Sequence, residues 1–404
     1  MITLAVSQAT FSSLCLSSKH FLLLAREYLY YRPLDPDTKI TWKKAFSLIE
    51  ALVKGNYRLA QLVGSLEGLV YWIVKLGDLD DPPPVWFSIS GCTKTFSWYL
   101  TILKSCSKLV SVDLLFNNER HKTMVLNALK PSLASLKTIS LVNHPDSNYR
   151  INYSTVRRAC HHDRMKDIET LKLVDIDFSE HVPIHSKFYV KPSLSLSVKS
   201  LHLVTYDLYD TAYFLPYDSS NLRSFVLEFN DFDHTPLPNI LKLLPASLEV
   251  LSISNGVPKD SKPPILYSYL QPDKTLDSIP FSSLGSFPRL SKLTLRGLTG
   301  PIRQLMDSLA SSSPLLAVID LKNSMWSRTN ETAPISRGKN ILDSITTLSQ
   351  LKYLHLGYLP TVTEEKFEAH KANLNGLGIQ IEWEYCVLHR VCTSFDFMCF
   401  VSCY

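Results

Sequence analysis

The sequence predicts an α/β solenoid, in which short parallel strands alternate with helices along a repeat. A six-residue apolar pattern recurs nine times, and the segments between the copies have helical spacing. The composition, with 45% hydrophobic and 20% charged residues, is ordinary for a globular chain. Because each repeat alone could bury almost nothing, neighbouring repeats must stack and share a core.

The strand pattern is L-x-x-L-x-L, with Ile, Val or Phe also allowed. Its last two apolar positions are two residues apart, which places both on one face of a strand. The first apolar position lies three residues earlier, consistent with a chain that turns a corner into the strand. The nine copies begin at residues 109, 136, 168, 198, 222, 248, 290, 316 and 351.

The segments between the strands favour amphipathic helices. Three of them have apolar residues at i, i+3, i+4 and i+7, and prolines follow just before several strands, where a helix must have ended. The helical stripes are Phe96, Tyr99, Leu100 and Leu103; Ile302, Leu305, Met306 and Leu309; and Ile341, Leu342, Ile345 and Leu348. The prolines are Pro131, Pro245, Pro288 and Pro314.

This order of strand, turn, helix and turn, with a period near 30 residues, resembles the leucine-rich-repeat solenoid over residues 108–384. The resemblance implies an irregular horseshoe with a parallel concave sheet and helices on the convex side. At the ninth position, where the family has an Asn, only Asn117 and Asn230 fit. The segment 255–275 is predicted to be a projecting loop, and 377–383 a final capping strand.

Residues 35–107 are predicted to form a helical N-terminal cap over the first repeat. Residues 41–53 carry one amphipathic stripe, with Thr41 as a plausible N-cap. Residues 58–70 carry a second stripe, and Gly55 with the Asn after it separates the two. The second stripe consists of Leu59, Leu62, Val63, Leu66, Leu69 and Val70.

Residues 1–34 include the segment "LCLSSKHFLLLAREYLYYRPL", which resembles the second half of an F-box. This helical module docks its protein onto the adaptor of a cullin–RING ubiquitin ligase, and many fungal members lead from it into a leucine-rich array. The matching residues are Leu14, Leu16, Ser17, Lys19, Phe21, Leu24, Ala25, Leu29 and Tyr30. The resemblance implies adaptor contacts from Leu14, Leu16, Phe21, Leu24 and Leu29. The family's first half, a Leu-Pro and an amphipathic helix, has no counterpart in "MITLAVSQATFSS".

The strand pattern also names the predicted binding surface, because residues that alternate with the core positions face outward. The first outward row is Asp113, Ser140, Lys172, His202, Val226, Ser252, Thr294, Asp320 and His355. The second outward row is Leu115, Val142, Val174, Val204, Glu228, Ser254, Arg296, Lys322 and Gly357. The first four residues of the second row form an apolar stripe across neighbouring strands, which predicts a contact with another protein. The concave protein-binding residues predicted are Leu115, Val142, Lys172, Val174, His202, Val204, Glu228 and Arg296.

Several other functions are disfavoured. A net charge of +5 with interleaved signs indicates no nucleic-acid footprint, and no apolar run is long enough to span a bilayer. No catalytic or cofactor motif occurs, so we expect no enzyme, no cofactor and no metal. The cluster "RRACHHDRMKD" at 157–167 has adjacent rather than helically spaced ligands and is predicted to be a solvated helix.

The cysteines favour an intracellular, cytoplasmic or nuclear protein. Cys15, Cys92, Cys106 and Cys160 are scattered singly and are predicted to be small buried hydrophobes. Residues 385–404 contain the other four in an atypical tail that we predict to be disordered.

Two functional interpretations follow. The first is a substrate-recognition subunit of an SCF-type ubiquitin ligase, whose repeats bind a target protein while the front module docks on the adaptor. The second is a leucine-rich-repeat scaffold with a degenerate F-box and no ligase role; a secreted repeat protein is a more distant third.

Overall fold

The structure is a computed structural model that describes residues 31, 33–34, 41–70, 72, 92–115, 119–142, 167–174, 198–205, 208, 221–229, 237–255, 287–322, 324–327, 345, 348–357 and 364–383. The chain divides into two units, residues 1–181 and 182–404. In both units parallel strands follow one another in chain order with helices between them. Each unit is therefore of the α/β solenoid class, as predicted.

Four parallel strands form the described sheet of the first unit. They are β1 (Ser65–Leu66), β2 (Ser111–Leu115), β3 (Thr138–Val142) and β4 (Thr170–Val174). Residues that lie opposite one another on neighbouring strands form a rung of the sheet. Ser111 lies opposite Thr138, and Thr138 lies opposite Thr170. The strands β2, β3 and β4 coincide with the first three copies of the repeat pattern, which are confirmed.

The helices of the first unit are α1 (Trp42–Val53), α2 (Tyr57–Ala60), α3 (Cys92–Ser105) and α4 (Glu119–Ala128). The predicted stripe of α3 is buried, and the Tyr99 hydroxyl donates a hydrogen bond to the Asp113 carbonyl oxygen at 3.0 Å. Thr41 precedes α1 in an extended conformation, but its side chain makes no capping hydrogen bond. The helix therefore begins where the sequence predicted, without the predicted side-chain cap.

The second predicted helix, residues 58–70, is wrong as one continuous helix, although residues 58–60 and 69–70 are helical. Helix α2 ends at Ala60, and strand β1 follows and pairs in parallel with β2. The Val110 amide donates to the Gly64 carbonyl oxygen at 2.6 Å as the chains enter this pairing. A short segment buried on both faces carries no periodicity that separates helix from strand, so the apolar spacing misled the prediction. The parallel sheet consequently begins inside the segment assigned to the helical cap.

The second unit contains the remaining strands. Seven run parallel in chain order: β5 (Ser200–Thr205), β6 (Ser224–Phe229), β7 (Val250–Asn255), β8 (Lys292–Arg296), β10 (Val318–Asp320), β12 (Tyr353–Leu356) and β13 (Gln380–Trp383). Strands β9 (Thr299–Pro301) and β11 (Met325–Ser327) form a separate parallel pair. All six remaining copies of the pattern are confirmed as strands, and β13 confirms the predicted capping strand.

The helices of this unit are α5 (Leu237–Lys242), α6 (Ile302–Ser312) and α7 (Glu364–Gly376). The four predicted core residues of α6 are at most 1% exposed, which confirms that stripe. Pro245 and Pro314 lie just after α5 and α6, as helix-ending prolines should. In the third predicted stripe Ile345 and Leu348 are buried, whereas its first two members lie outside the described residues.

Serine hydroxyls bond the described backbone where successive repeats meet. Ser135 Oγ donates to the Leu109 carbonyl at 2.8 Å. In the second unit Ser247 Oγ donates to the Leu222 carbonyl at 2.9 Å. Ser324 is 2% exposed, and its Oγ donates to the Leu295 carbonyl and accepts from a neighbouring amide. These hydroxyls supply hydrogen-bond donors to part-buried and buried backbone carbonyl oxygens.

Candidate protein-binding face

Alternating burial along the strands separates a core face from an outward face. In β4, β5 and β7, apolar residues facing the core are buried while the residues between them are half-buried. Leu171 and Leu173, for example, are each 1% exposed, whereas Lys172 between them is partly accessible. The two outward rows predicted from the sequence thus correspond to one accessible side of each described sheet.

In the first unit the outward rows are in register. Asp113 lies opposite Ser140 and Ser140 lies opposite Lys172, which aligns the first row across three strands. Two rungs further, Leu115 lies opposite Val142 and Val142 lies opposite Val174. The valines are half-buried, so three of the four members of the predicted apolar stripe share one rung.

Asp113 is the most perturbed carboxyl group of this first-unit face. Its Oδ2 accepts a hydrogen bond from the Gly68 amide at 2.6 Å. Burial raises the pKa of Asp113 to about 6, although the hydrogen bonds from Gly68 and Ser140 and the positive charge of Lys172 act in the opposite direction. The Glu67 carboxylate adds to the increase and itself accepts a hydrogen bond from Ser111.

The sequence did not identify Glu67 and Gly68 as part of this face. Both follow β1, which the sequence assigned to a helix, and the pairing of β1 with β2 brings them beside Asp113. The only signal available was Gly68 itself, whose positive φ of 82° marks a sharp turn after the strand.

In the second unit His202 and Glu228 form a cross-strand pair. His202 is on β5 and Glu228 is on β6, and Nε2 lies 3.0 Å from Oε1. His202 occupies the rung of Val226, and Val204 occupies the rung of Glu228. Val204, the fourth member of the predicted apolar stripe, therefore has an acidic neighbour on the strand that follows it.

A second polar group lies at the ends of β8, β10, β12 and β13. Asp320 lies opposite Thr294 on one side and opposite His355 on the other, and His355 lies opposite Glu382. Arg296 Nη2 is 2.5 Å from Asp320 Oδ2. Sequence reasoning predicted Arg296 as a site residue but missed Glu382, because β13 was recognised only as a cap and its outward residues were not assigned.

The ionisation of this group follows from its contacts. Burial alone would raise the pKa of Asp320, but hydrogen bonds from Arg296 and the Lys322 amide, with nearby positive charge, lower it below its usual value. Burial together with a hydrogen bond to Glu382 raises the pKa of the Tyr353 hydroxyl to about 12. Asp320 is therefore an acceptor and Tyr353 a donor at neutral pH.

The predicted outward positions are not equally accessible. Ser140, Thr294 and His355 are buried, with His355 at 9% exposure, although they alternate with core residues. The second row is the more accessible in the second unit, where Glu228 and Lys322 are exposed and Arg296 is half-buried. Lys322 lies just beyond β10 rather than on it.

The remaining predictions are only partly covered by the structure. The predicted adaptor contacts Leu14, Leu16, Phe21, Leu24 and Leu29 lie outside the described residues, as do the Cys-rich tail and nearly all of the loop at 255–275 and of the segment 157–167.

Cys106 is buried, as predicted, and burial raises the pKa of its thiol to about 12, so that it is not a reactive thiolate. Within the described ranges no group of three or more His, Cys, Asp and Glu side chains could hold a metal ion. None of the described helices has the length and apolar character needed to cross a membrane.

Comparison with known proteins adds little. No protein-family model and no curated protein matches the chain. Among solved structures, it is similar to a chain of the crystal structure of the Rad7 and Elc1 complex in yeast, with 14% sequence identity, a TM-score of 0.36 and coverage of 91% of each chain. A likeness at that level carries no argument about function.

Proposed function

We propose that this chain is a non-enzymatic protein-binding solenoid that serves as a substrate-recognition subunit of an SCF-type cullin–RING ubiquitin ligase. The observation that carries the proposal is the in-register outward face of each unit. Successive repeats place apolar, hydroxyl and charged side chains side by side on accessible rungs. A surface of this kind supplies both the apolar contact and the polar specificity of a protein interface.

The apolar part of this surface supports a target-binding role for the first unit. Val142 and Val174 are adjacent on neighbouring strands and half-buried, with Lys172 two residues before Val174 on the same face of the strand. Neighbouring apolar side chains left accessible on a sheet face favour contact with another protein.

The described end of the F-box-like segment supports a fixed connection to the first repeat. Leu34 is 0% exposed, and its carbonyl accepts a hydrogen bond from Trp72 Nε1 at 3.2 Å. The Tyr31 carbonyl accepts a hydrogen bond from the Gly64 amide at 3.1 Å, one residue before β1. The Tyr31 ring lies where a side chain at Gly64 would be. A module joined in this way would hold its adaptor at a defined position relative to the first strands.

The target-binding part is tested by charge introduction. We expect Val142→Asp combined with Val174→Asp to abolish capture of a partner identified with the unmodified chain, because two carboxylates would be desolvated at the contact. The matched control is Met124→Asp with Asn127→Asp, two exposed positions on α4, which should leave capture and the melting temperature unchanged. Unchanged capture by the valine variant would contradict the proposal.

The ligase part is tested by co-purification with the adaptor. The unmodified chain should retain the adaptor, Phe21→Asp with Leu24→Asp should lose it, and the Val142/Val174 variant should keep it. The alternative function is a scaffold with a degenerate F-box. It predicts that the unmodified chain captures its partner but retains no adaptor. We further propose an intracellular location and no catalytic, cofactor or nucleic-acid role.

A further inference from the structure

The polar group at the ends of β8, β10, β12 and β13 differs from the other rungs in having buried polar atoms without a partner. Among the described residues, Arg296 Nε and His355 Nδ1 are the buried side-chain polar atoms that no hydrogen bond reaches. They belong to one accessible side of the sheet, and Asp320 lies on the strand between them. Buried polar groups are rarely left unpaired, because each costs the free energy of its lost hydration.

Each carboxylate oxygen of this group already accepts one hydrogen bond from the chain. Asp320 Oδ2 binds Arg296, and Asp320 Oδ1 accepts the Lys322 amide at 3.0 Å. On the other side, Glu382 Oε2 accepts the Tyr353 hydroxyl at 3.0 Å, and Glu382 Oε1 accepts the Gln380 side-chain amide at 3.1 Å. Each of the two carboxylates therefore has both oxygens engaged within the chain.

What remains available is a set of donors. Asp320 engages one terminal nitrogen of the Arg296 guanidinium, and Nε has no described acceptor. Lys322 follows Asp320 by two residues, its backbone amide bonds Asp320 Oδ1, and its side chain is exposed. His355 Nε2 is 3.9 Å from the Glu382 carboxylate, and Nδ1 has no described partner. A ligand that complements these atoms must bring acceptors, and a negative charge suits the two cations best.

We infer that Arg296 and Lys322 of this polar group bind the side-chain carboxylate of an acidic segment in the protein ligand. The inference rests on the proposed protein-binding function and names the chemistry of one contact. The carboxylate accepts from the accessible part of the Arg296 guanidinium, whose side chain is 43% exposed, and from the exposed Lys322. The internal pair with Asp320 fixes the guanidinium in place before the ligand arrives, which reduces the entropy lost on binding.

The probe is a library of random short peptides, displayed and selected on the full chain. Asp or Glu should become enriched at one position of the selected peptides. The best peptide and its Gln counterpart are then compared by fluorescence anisotropy. We expect about a tenfold or larger loss of affinity from the Gln peptide, and a similar loss from Arg296→Met with the acidic peptide.

The combined change provides the sharpest test. If the peptide carboxylate contacts Arg296, the Gln peptide has already lost that contact. Arg296→Met should then reduce the affinity of the Gln peptide little further. Lys322→Met should lower the affinity for the acidic peptide several-fold. Because Lys322 is exposed, this change should leave the fold intact, so it serves as the test if Arg296→Met destabilises the chain. Lys292→Met, at the opposite end of β8, is the matched control and should leave the affinity unchanged.

The outcomes separate this inference from the proposed function. Peptides selected without an acidic position, or acidic peptides whose affinity is unaffected by Lys322→Met and Arg296→Met, would overturn the carboxylate site while leaving protein binding in place. Failure to select any peptide would overturn both.

Discussion

At the scale of single residues, Asp113 shows how tertiary pairing changes the chemistry of an outward-facing side chain. The sequence gives only an alternating Asp on a strand. In the structure the Asp113 carboxyl group is buried, accepts a hydrogen bond from the Gly68 amide and lies near the Glu67 carboxylate. Burial and Glu67 raise its pKa, whereas the Gly68 hydrogen bond lowers it. The carboxyl group is held where its charged form is poorly hydrated.

Asp113→Asn is expected to remove a pH dependence of stability. The folded-state pKa of about 6 lies above the usual value of 3.8, so the protonated form is favoured by folding. This contribution is present below about pH 4 and is lost as the pH rises to about 6. The Asn variant, whose amide oxygen can still accept from Gly68, should have a flatter profile between those limits, by about 1–3 kcal/mol. Urea unfolding across this pH range measures it.

The control for this prediction is Glu50→Gln on α1. Glu50 forms an i,i+4 pair with Lys54 on the surface, 2.6 Å apart, and such pairs contribute little to stability. The control should keep the pH profile of the unmodified chain. An Asn variant whose profile also matches that chain would show that Asp113 is not desolvated as described.

At the scale of the elements, the turns that leave the strands depend on residues without side chains. Gly297 has a φ of +64°, and a Cβ there would collide with the Asn255 carbonyl oxygen. Gly357 follows β12 and packs against the carbonyl oxygens of Leu321 and Ser324. The chain segments that leave neighbouring strands therefore approach more closely than any side chain would allow.

Gly357→Ala is expected to destabilise the second unit by about 1–3 kcal/mol, because the new methyl group must displace rigid backbone. Gly376→Ala, at the end of α7, has no atom within 4 Å of the added Cβ and is the matched control. It should be neutral or stabilising by up to about 1 kcal/mol, since Ala is a better helix former. Thermal unfolding of both variants tests the pair, and equal melting temperatures would contradict the close approach at Gly357.

The elements also show where sequence patterns suffice. The nine strands were predictable because the last two apolar positions of the L-x-x-L-x-L pattern are two residues apart. That spacing places both side chains on one face of a strand, and it recurs in every repeat. Helix α6 was predictable because its apolar stripe, from Ile302 to Leu309, runs over about two turns. Strand β1 was not, because a two-residue strand inside the buried run 63–66 has no period, and only its pairing with β2 defines it.

At the scale of the whole molecule, stability is expected to be local along the repeats. Each described strand bonds only with the strands of adjacent repeats, so a defect should propagate to neighbours and then fade. This behaviour distinguishes a stacked array from a domain with a single central core.

Leu251→Ala tests this locality in the second unit. Leu251 is 0% exposed on β7, and the truncation should cost about 2–5 kcal/mol. Hydrogen exchange should accelerate most in β6, β7 and β8 and least in β12 and β13. Ser254→Ala, an outward position on the same strand, should leave exchange nearly unchanged. Uniform acceleration across all strands of the unit would contradict the prediction.

The sequence by itself determined the repeat, the strand positions and which residues of each strand face outward, because these depend on local spacing. It also supplied the F-box resemblance, on which the ligase proposal depends. Only the tertiary structure decided which outward residues meet, since cross-strand contacts depend on register between repeats 24–42 residues apart. The pairing of Arg296 with Asp320, the burial of His355, and the approach of Glu67 to Asp113 arise there. The surface that recognises a partner is therefore set by stacking, which no single repeat encodes.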